Sequence, residues 1–271
     1  MELPKDVVWF TMLQQFLDVN EIAQLNRVHR FFGTYWIEVY PLHQPIPVAV
    51  SRFHQSMKLA VVLTKKRTYT QENPIVLVLS VGVHVIGDSF DVPCSNMTLM
   101  GKGHDQTTIR GGLGVINQTN VVLKDFNVTN PGGDGLWMNG SETNVKVVEC
   151  TVQQCQENGM CVSGGATTVA TRCEFMKNDQ FGVYVMSPNT KVAMHDCTSH
   201  HNGFHGLFAH SYAVVNLHGE ATDIHNNQTF GIVAAGKGKV NIHLPSQHNT
   251  SHDNGKEDRN ENGGGTITNN I

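Results

Sequence analysis

A glycine recurs about once every 24 residues through the middle of the chain, and this repeat limits the fold more than any other feature. The repeated glycines are Gly135, Gly159, Gly182, Gly206 and Gly231. An apolar residue follows each of them, and another lies two positions further on, as with Leu136 and Met138. Alternation with a period of two is typical of a β-strand with one buried face. The repeat therefore predicts a stack of coils with equivalent strands.

Three more columns of mostly apolar residues keep the same spacing. The first column is Phe126, Cys150, Cys173, Cys197 and Thr222; the second is Val128, Val152, Phe175, Ser199 and Ile224; the third is Val121, Val145, Val169, Val192 and Leu217. Each coil is thus predicted to hold two or three short strands, separated by turns rich in Asn and Gly. Stacked coils about 4.8 Å apart would close a common core. Leucine-rich repeats are disfavoured, because the columns mix Val, Cys, Met and Ile.

The chain is therefore predicted to be mainly β, with a right-handed parallel β-helix over residues 75–255. Upstream, the segments 96–103 and 107–111 resemble the entry coils of the pectin-lyase-like superfamily, and the segments 75–79 and 82–86 resemble its first strands. This resemblance implies the solenoid fold and says little about function.

Both ends of the β-helix need covering. Residues 51–63 have helical spacing, with Phe53, Met57, Val61 and Val62 on one face, so we expect a helix that caps the N-terminal end. Residues 41–74 are interpreted as a linker with this helix. Residues 256–271 are polar and are predicted to form a flexible tail.

Residues 1–40 differ in kind, because their apolar residues recur at helical spacing after a Leu-Pro pair. This segment resembles an F-box. The positions that match the F-box pattern are Leu3, Pro4, Val7, Leu13, Leu17, Ile22, Leu25 and Val28. The resemblance implies docking on a Skp-type adaptor of a cullin ubiquitin ligase, with the β-helix as the substrate-recognition arm. A helical hairpin that docks on the β-helix is the alternative.

Composition excludes little. The net charge is −4 and 15% of the residues are charged, so nothing calls for a nucleic-acid or membrane partner. The start of the chain has no basic segment followed by an apolar run, as a secretory signal would, and we expect an intracellular protein. No cofactor is predicted.

The pattern assigns no catalytic or metal-binding residue. Acidic residues are scattered along the coils, and Arg172 separates Glu149 from Asp196 in one column, which predicts a surface ion-pair ladder. The column of cysteines is expected to be buried and reduced. His200 and His225 should stack on adjacent coils, where two imidazoles could share a metal, although solvated turn histidines are the preferred interpretation.

One outward row is rich in aromatic residues. The candidate contact residues are Trp137, Tyr184, Phe208, Phe181, His205 and His210. Such a row is typical of a contact surface. We expect a non-enzymatic adaptor that binds an unknown protein here. The alternatives are a β-helix that binds or cleaves polysaccharide, a structural solenoid that self-associates, and a row covered by the chain itself.

Overall fold

The computed structural model describes residues 45–244 and 250–270. The eight F-box-like positions precede residue 45 and therefore lie outside the described residues. Within these residues, the secondary structure is almost entirely β, and the strand pairs are parallel. No helix among them is long and apolar enough to cross a membrane.

The strands form three stacks along the solenoid. The first stack is a ten-stranded sheet in the order β1 (Ile46–Val48), β2 (Ile75–Leu79), β4 (Met97–Met100), β6 (Val121–Lys124), β9 (Asn144–Val148), β12 (Thr167–Thr171), β15 (Lys191–His195), β18 (Val214–His218), β21 (Lys239–His243) and β24 (Thr266–Asn269). Each strand pairs with its equivalent on the next coil, so this sheet forms one flat side of the molecule.

The other two stacks are joined by the long strand β5 (Thr107–Ile116), which also pairs with β3 (Gly82–Asp91). The second stack continues through β7 (Asn127–Thr129), β10 (Thr151–Gln153), β13 (Glu174–Met176), β16 (Thr198–His200), β19 (Asp223–His225) and β22 (Ser251–His252). The third continues through β8 (Leu136–Asn139), β11 (Met160–Ser163), β14 (Val183–Val185), β17 (Leu207–His210), β20 (Ile232–Ala235) and β23 (Arg259–Glu261).

The register confirms most of the predicted columns. Val152 pairs with Val128 and Phe175, and Cys150, Cys173 and Cys197 are buried in the core. Two predicted members of the Val121 column are wrong: buried Thr168 and Val215 hold those positions, rather than Val169 and Leu217. Thr168 lies 14 residues before Gly182, the same offset as Val145 from Gly159, and the prediction misses it because the apolar Val169 stands next to it. Val215 lies 16 residues before Gly231, because that coil has two extra residues between the first and second stacks.

A buried ladder of asparagines holds the turns between the second and third stacks. The Nδ2 atom of Asn178 donates to Oδ1 of Asn202 at 3.0 Å, and Asn202 donates in turn to Asn227 at 2.9 Å. Asn227 donates to Asn254 at 2.9 Å, which extends the ladder by another coil. Each side-chain amide therefore donates a hydrogen bond to the next one, so the buried polar groups are paired.

This ladder explains why the repeated glycines are glycines. A Cβ atom on Gly206 would lie 2.6 Å from Nδ2 of Asn227 and 2.3 Å from a methyl carbon of Ile224. The equivalent atom on Gly182 would collide with Ser199 and Asn202. Close approach of the next coil, rather than a left-handed backbone, thus requires glycine here.

Helix α1 (Phe53–Lys66) covers the N-terminal coil, as predicted, but with a different face. Phe53, Met57 and Leu63 are buried in the core cluster, whereas Val62 is 42% exposed. The apolar positions at spacings of three and four place Ala60 and Leu63 inward instead of Val61 and Val62.

The C-terminal residues differ from the expected flexible polar tail. The strand β23 pairs with β20, and β24 pairs with β21 in register from Lys239–Thr266 to Ile242–Asn269. Backbone pairing with the previous coil needs no apolar side chains, so a polar segment can still form a coil. Composition alone therefore underestimates the length of the solenoid.

We expect Asn202→Ala to lower the free energy of unfolding by about 3 kcal/mol, because it leaves buried amide partners on both neighbouring coils unpaired. Asn144→Ala, at an exposed strand position, is the matched control and should change stability by less than about 0.5 kcal/mol. Chemical denaturation followed by circular dichroism measures both. Equal losses in the two variants would contradict a structural role for the ladder.

Candidate functional site

The outer side of the third stack carries a group of aromatic and histidine side chains, which we call the aromatic face. Its members are Trp137, Phe181, Tyr184, Phe204, His205, Phe208, His210 and Phe230. The strand register aligns Trp137, Cys161, Tyr184 and Phe208 in one row across β8, β11, β14 and β17. The residues of the predicted row therefore lie in register on successive coils.

Ring contacts join most of the aromatic face into one surface. Tyr184 and Phe208 are stacked, with ring centroids 5.2 Å apart and an interplanar angle of 12°. Phe181 contacts both rings, at 5.1 and 5.3 Å, and also contacts His205 at 5.1 Å. Such contacts hold the rings in place at little entropic cost when a ligand arrives.

Several further contacts fix the edges of the aromatic face. The Nδ1 atom of His205 lies 2.6 Å from Oγ1 of Thr229. His210 contacts Phe208 at 5.3 Å and hydrogen bonds to the Ser211 hydroxyl at 2.7 Å. Phe204, which the predicted row omits because it lies in a turn, is 49% exposed. The six predicted residues thus lie on one side, and Phe204 and Phe230 extend it.

Two small side chains interrupt the row. Cys161 is 5% exposed and Val233 is 3% exposed, although strand alternation points both outward. Cys161 lies between the larger Trp137 and Tyr184 in register, and Trp137 itself is 39% exposed. Cys161 is therefore covered by its neighbours, and the accessible rings of the row lie on its two sides.

An open groove of about 190 Å³ adjoins Trp137 on the side of the early coils. Its lining includes the carboxylates of Asp88, Asp91 and Asp134. Four glycines line the same groove, namely Gly112, Gly114, Gly132 and Gly133. The Asp91 carboxylate fills the space that a side chain at Gly114 would occupy. The absence of side chains here keeps the carboxylates accessible beside the tryptophan.

The end of the aromatic face that adjoins the groove carries negative charge. Burial raises the pKa of Asp134, while hydrogen bonds from Asn158 to its Oδ1 atom, at 2.7 and 3.0 Å, act against that rise. None of the residues that line the groove is Lys or Arg. At the opposite end, the Lys256 ammonium lies 5.4 Å from the ring centroid of Phe230. The acidic groove and this single cation thus lie at opposite ends of the aromatic face.

Histidines form two further columns on other sides. The rings of His200 and His225 stack at 4.9 Å, as predicted, and His252 extends the column at 5.3 Å. His195, His218 and His243 form a second stack at 4.6 and 4.5 Å. Among residues 45–244 and 250–270, no group of three His, Cys, Asp or Glu side chains could hold a metal ion.

The other polar and sulfur groups have structural partners. The Arg172 guanidinium binds Glu149 at 2.6 Å, which confirms that part of the predicted ladder, and Lys124 lies 3.6 Å from the same carboxylate. The Asp196 carboxylate instead accepts a hydrogen bond from the Ala221 N–H at 3.3 Å. Burial raises the pKa of the Cys150 and Cys161 thiols to about 12. These two thiols are therefore protonated and poorly nucleophilic at neutral pH.

Comparison with known proteins identifies the family. The model of the right handed β-helix region matches residues 81–250, so the chain belongs to this family. No curated protein matches the chain. A solved structure of ORF18 from Geobacillus virus E2 is similar at 10% identity, with a TM-score of 0.37, over 90% of this chain and 64% of that chain. At this level the likeness supports no argument about either fold or function, and the chain spans less than two thirds of that protein.

Sequence reasoning missed the acidic groove and the asparagine ladder. Asp88 and Asp91 lie after a register shift in β3, so no repeat connects them to Asp134. The asparagines did carry a signal: Asn178, Asn202 and Asn227 each lie four positions before a repeated glycine.

We expect the melting temperature to fall as the pH is lowered from 7.5 to 5. Burial, together with the neighbouring His195 and His243, lowers the pKa of His218, and burial lowers that of His205 to about 4. A lowered folded-state pKa gives stability that is present above the unfolded pKa and lost as the pH falls through the folded one. His252, whose pKa is raised mainly by Asp253, acts in the opposite direction.

The variant His218→Asn should flatten this dependence, and His104→Asn, at an exposed turn, serves as its control. Thermal unfolding at several pH values measures both. A melting temperature that rises towards pH 5 would contradict the expected direction.

Proposed function

We propose that this protein is a non-enzymatic recognition protein whose β-helix binds a protein partner through the aromatic face. The observation that carries the proposal is the continuous ring network of Phe181, Tyr184 and Phe208, which is only half-buried within the chain. Aromatic residues with polar edges are typical anchors of protein interfaces. A preformed surface of this kind favours binding over chemistry.

Several groups that could serve chemistry form structural contacts instead. Glu149 is ion-paired with Arg172, and the buried thiols have high pKa values. Asp134 is held by Asn158 in a position that orders a turn. These contacts support a role in binding rather than in catalysis.

The proposal includes a role for the N-terminal segment. Its resemblance to an F-box suggests that Leu13 and Leu17 contact a Skp-type adaptor, so that a partner captured on the β-helix would reach a ubiquitin ligase. No described residue bears on this part, and it rests on the sequence pattern alone.

Polysaccharide binding is the second candidate, because Trp137 lies beside a groove with carboxylates and could stack on a sugar ring. The acidic lining opposes a polyuronate and favours a neutral or amine-bearing glycan. Binding to a glycan array that Trp137→Ser abolishes would favour this candidate over a protein partner.

We expect the triple variant Trp137→Ser, Tyr184→Ser, Phe208→Ser to keep the fold and lose partner capture. The control variant carries Val148→Ser, Val169→Ser and Val214→Ser, which remove half-buried outward side chains from the first sheet. Affinity capture with quantitative mass spectrometry compares the two, and circular dichroism checks the fold. Partners that remain with the triple variant would refute the proposed face.

We expect the full-length chain to co-elute with a Skp-type adaptor in gel filtration, and the double variant Leu13→Asp, Leu17→Asp to elute alone, because charges would disrupt an apolar contact. The control pair is Lys65→Asp and Lys66→Asp at the end of α1. If the unaltered chain elutes alone, the adaptor role is wrong, and the β-helix proposal stands on its own test.

A further inference from the structure

The spacing and charge of the aromatic face identify the chemistry of its partner more closely, and this inference rests on the proposed function. Three features lie along the same line on successive coils: the acidic groove at Asp91, the exposed ring of Trp137, and the stacked pair of Tyr184 and Phe208. Register connects them, since Asp91 pairs with Gly114 and Gly114 pairs with Trp137.

The spacing between successive coils gives the distances between these residues along the solenoid. Trp137 and Tyr184 are two coils apart, so the interval between these rings is about 9.6 Å at about 4.8 Å per coil. A polyproline II helix rises about 3.1 Å per residue and has three residues per turn, which gives about 9.3 Å between side chains on one side. The two repeats nearly coincide between the rings. The Asp91 carboxylate reaches over Gly114 to within about one coil of Trp137, a position that a long basic side chain three residues from the Trp137 anchor can reach.

The shape of the row agrees with this ligand. Cys161 lies between Trp137 and Tyr184 and is only 5% exposed, so the accessible apolar surface of the row is that of the rings on its two sides. Polyproline II segments bind by packing proline or apolar side chains against aromatic rings, and they lose little conformational entropy on binding. A ligand in this conformation would place one side chain against Trp137 and the next against Tyr184 and Phe208.

The charge of the groove determines in which direction the ligand runs along the aromatic face and which charged group it carries at the groove end. Asp88, Asp91 and Asp134 face the same space, and no Lys or Arg lines it. Besides burial, the Asp134 and Glu157 carboxylates raise the pKa of the Cys161 thiol, so negative charge continues from the groove along the row. The cation Lys256 lies beside Phe230, beyond the other end of the row. A ligand therefore gains most when its positive group enters the groove.

We propose that the aromatic face binds a proline-rich protein segment in the polyproline II conformation, with a Lys or Arg in the acidic groove and apolar or proline residues three and six positions away. The basic side chain contacts Asp88 and Asp91. The first of the two following anchors contacts Trp137, and the second contacts Tyr184 and Phe208. The carboxylates select the segment, and the rings supply most of the contact area.

The test is selection of random peptides about 12 residues long, enough to span the face at about 3.1 Å per residue, on phage against the full-length protein. Two variants serve as counter-targets: Asp88→Asn with Asp91→Asn, and Tyr184→Ser with Phe208→Ser. Enriched peptides are then synthesised with a fluorophore and titrated by fluorescence anisotropy. Glu72→Gln with Glu220→Gln, two exposed carboxylates outside the groove lining, is the charge control.

We expect enriched peptides with a basic residue followed or preceded at spacings of three and six by proline or an apolar residue. Their affinity should fall about tenfold in the Asp88→Asn, Asp91→Asn variant and stay unchanged in the charge control. Replacement of their basic residue with Glu should cause a larger loss. Circular dichroism of each variant separates a loss of binding from a loss of fold.

Three results would overturn the inference. Peptides that depend on Tyr184 and Phe208 but show no basic residue would refute the partner chemistry and leave the proposed function standing. Enrichment of acidic or helical peptides would do the same. No enrichment on the native protein, together with glycan binding that requires Trp137, would refute both and assign the face to saccharides.

Discussion

Parallel backbone pairing between equivalent strands of successive coils is the interaction on which the whole structure depends. It leaves each residue directly above its equivalent on the previous coil, so every position is repeated as a column. A column can exist only where its members tolerate one another at about 4.8 Å. The glycines before β8, β11, β14, β17 and β20 meet this condition by having no side chain where the next coil approaches, and the asparagine ladder meets it by letting each amide both donate and accept.

Side chains on the outside of the solenoid do not pack in the core, but each still lies next to its equivalent on the neighbouring coils and must be compatible with it. Glu149 and Arg172 satisfy this requirement by opposite charge, the histidine columns by ring stacking, and Tyr184 with Phe208 by aromatic contact. The aromatic face is therefore a product of the repeat as much as of the individual residues. A binding surface built in this way has fixed intervals along one direction, which suits an elongated ligand.

The sequence supports strong predictions about regular parts of this fold and weak ones about irregular parts. The columns at Gly206, Val152 and Trp137 follow from counting, because a period of two within a strand and a constant coil length reveal both burial and register. Counting places Thr168 in the first sheet, but its polar side chain makes the neighbouring Val169 look like the buried residue, and an error of one residue moves a side chain to the opposite face of the strand. Val215 could not be placed by counting, because its coil is two residues longer before the glycine. Asp88 and Asp91 could not be related to Asp134 for a similar reason, as they lie in an early coil with a bulge. The coil at residues 259–269 escaped prediction because its stability comes from backbone pairing that polar composition conceals.

The stacked imidazoles of His195, His218 and His243 behave as a one-dimensional chain of coupled acids. A proton on one ring raises the free energy of placing a second proton on the ring above or below, because like charges only 4.5 to 4.6 Å apart repel. Burial and the two neighbouring rings therefore lower the pKa of the central His218. Such a column couples the charge on one coil to the charge on the coils beside it, so an electrostatic change at one position is transmitted along the solenoid axis.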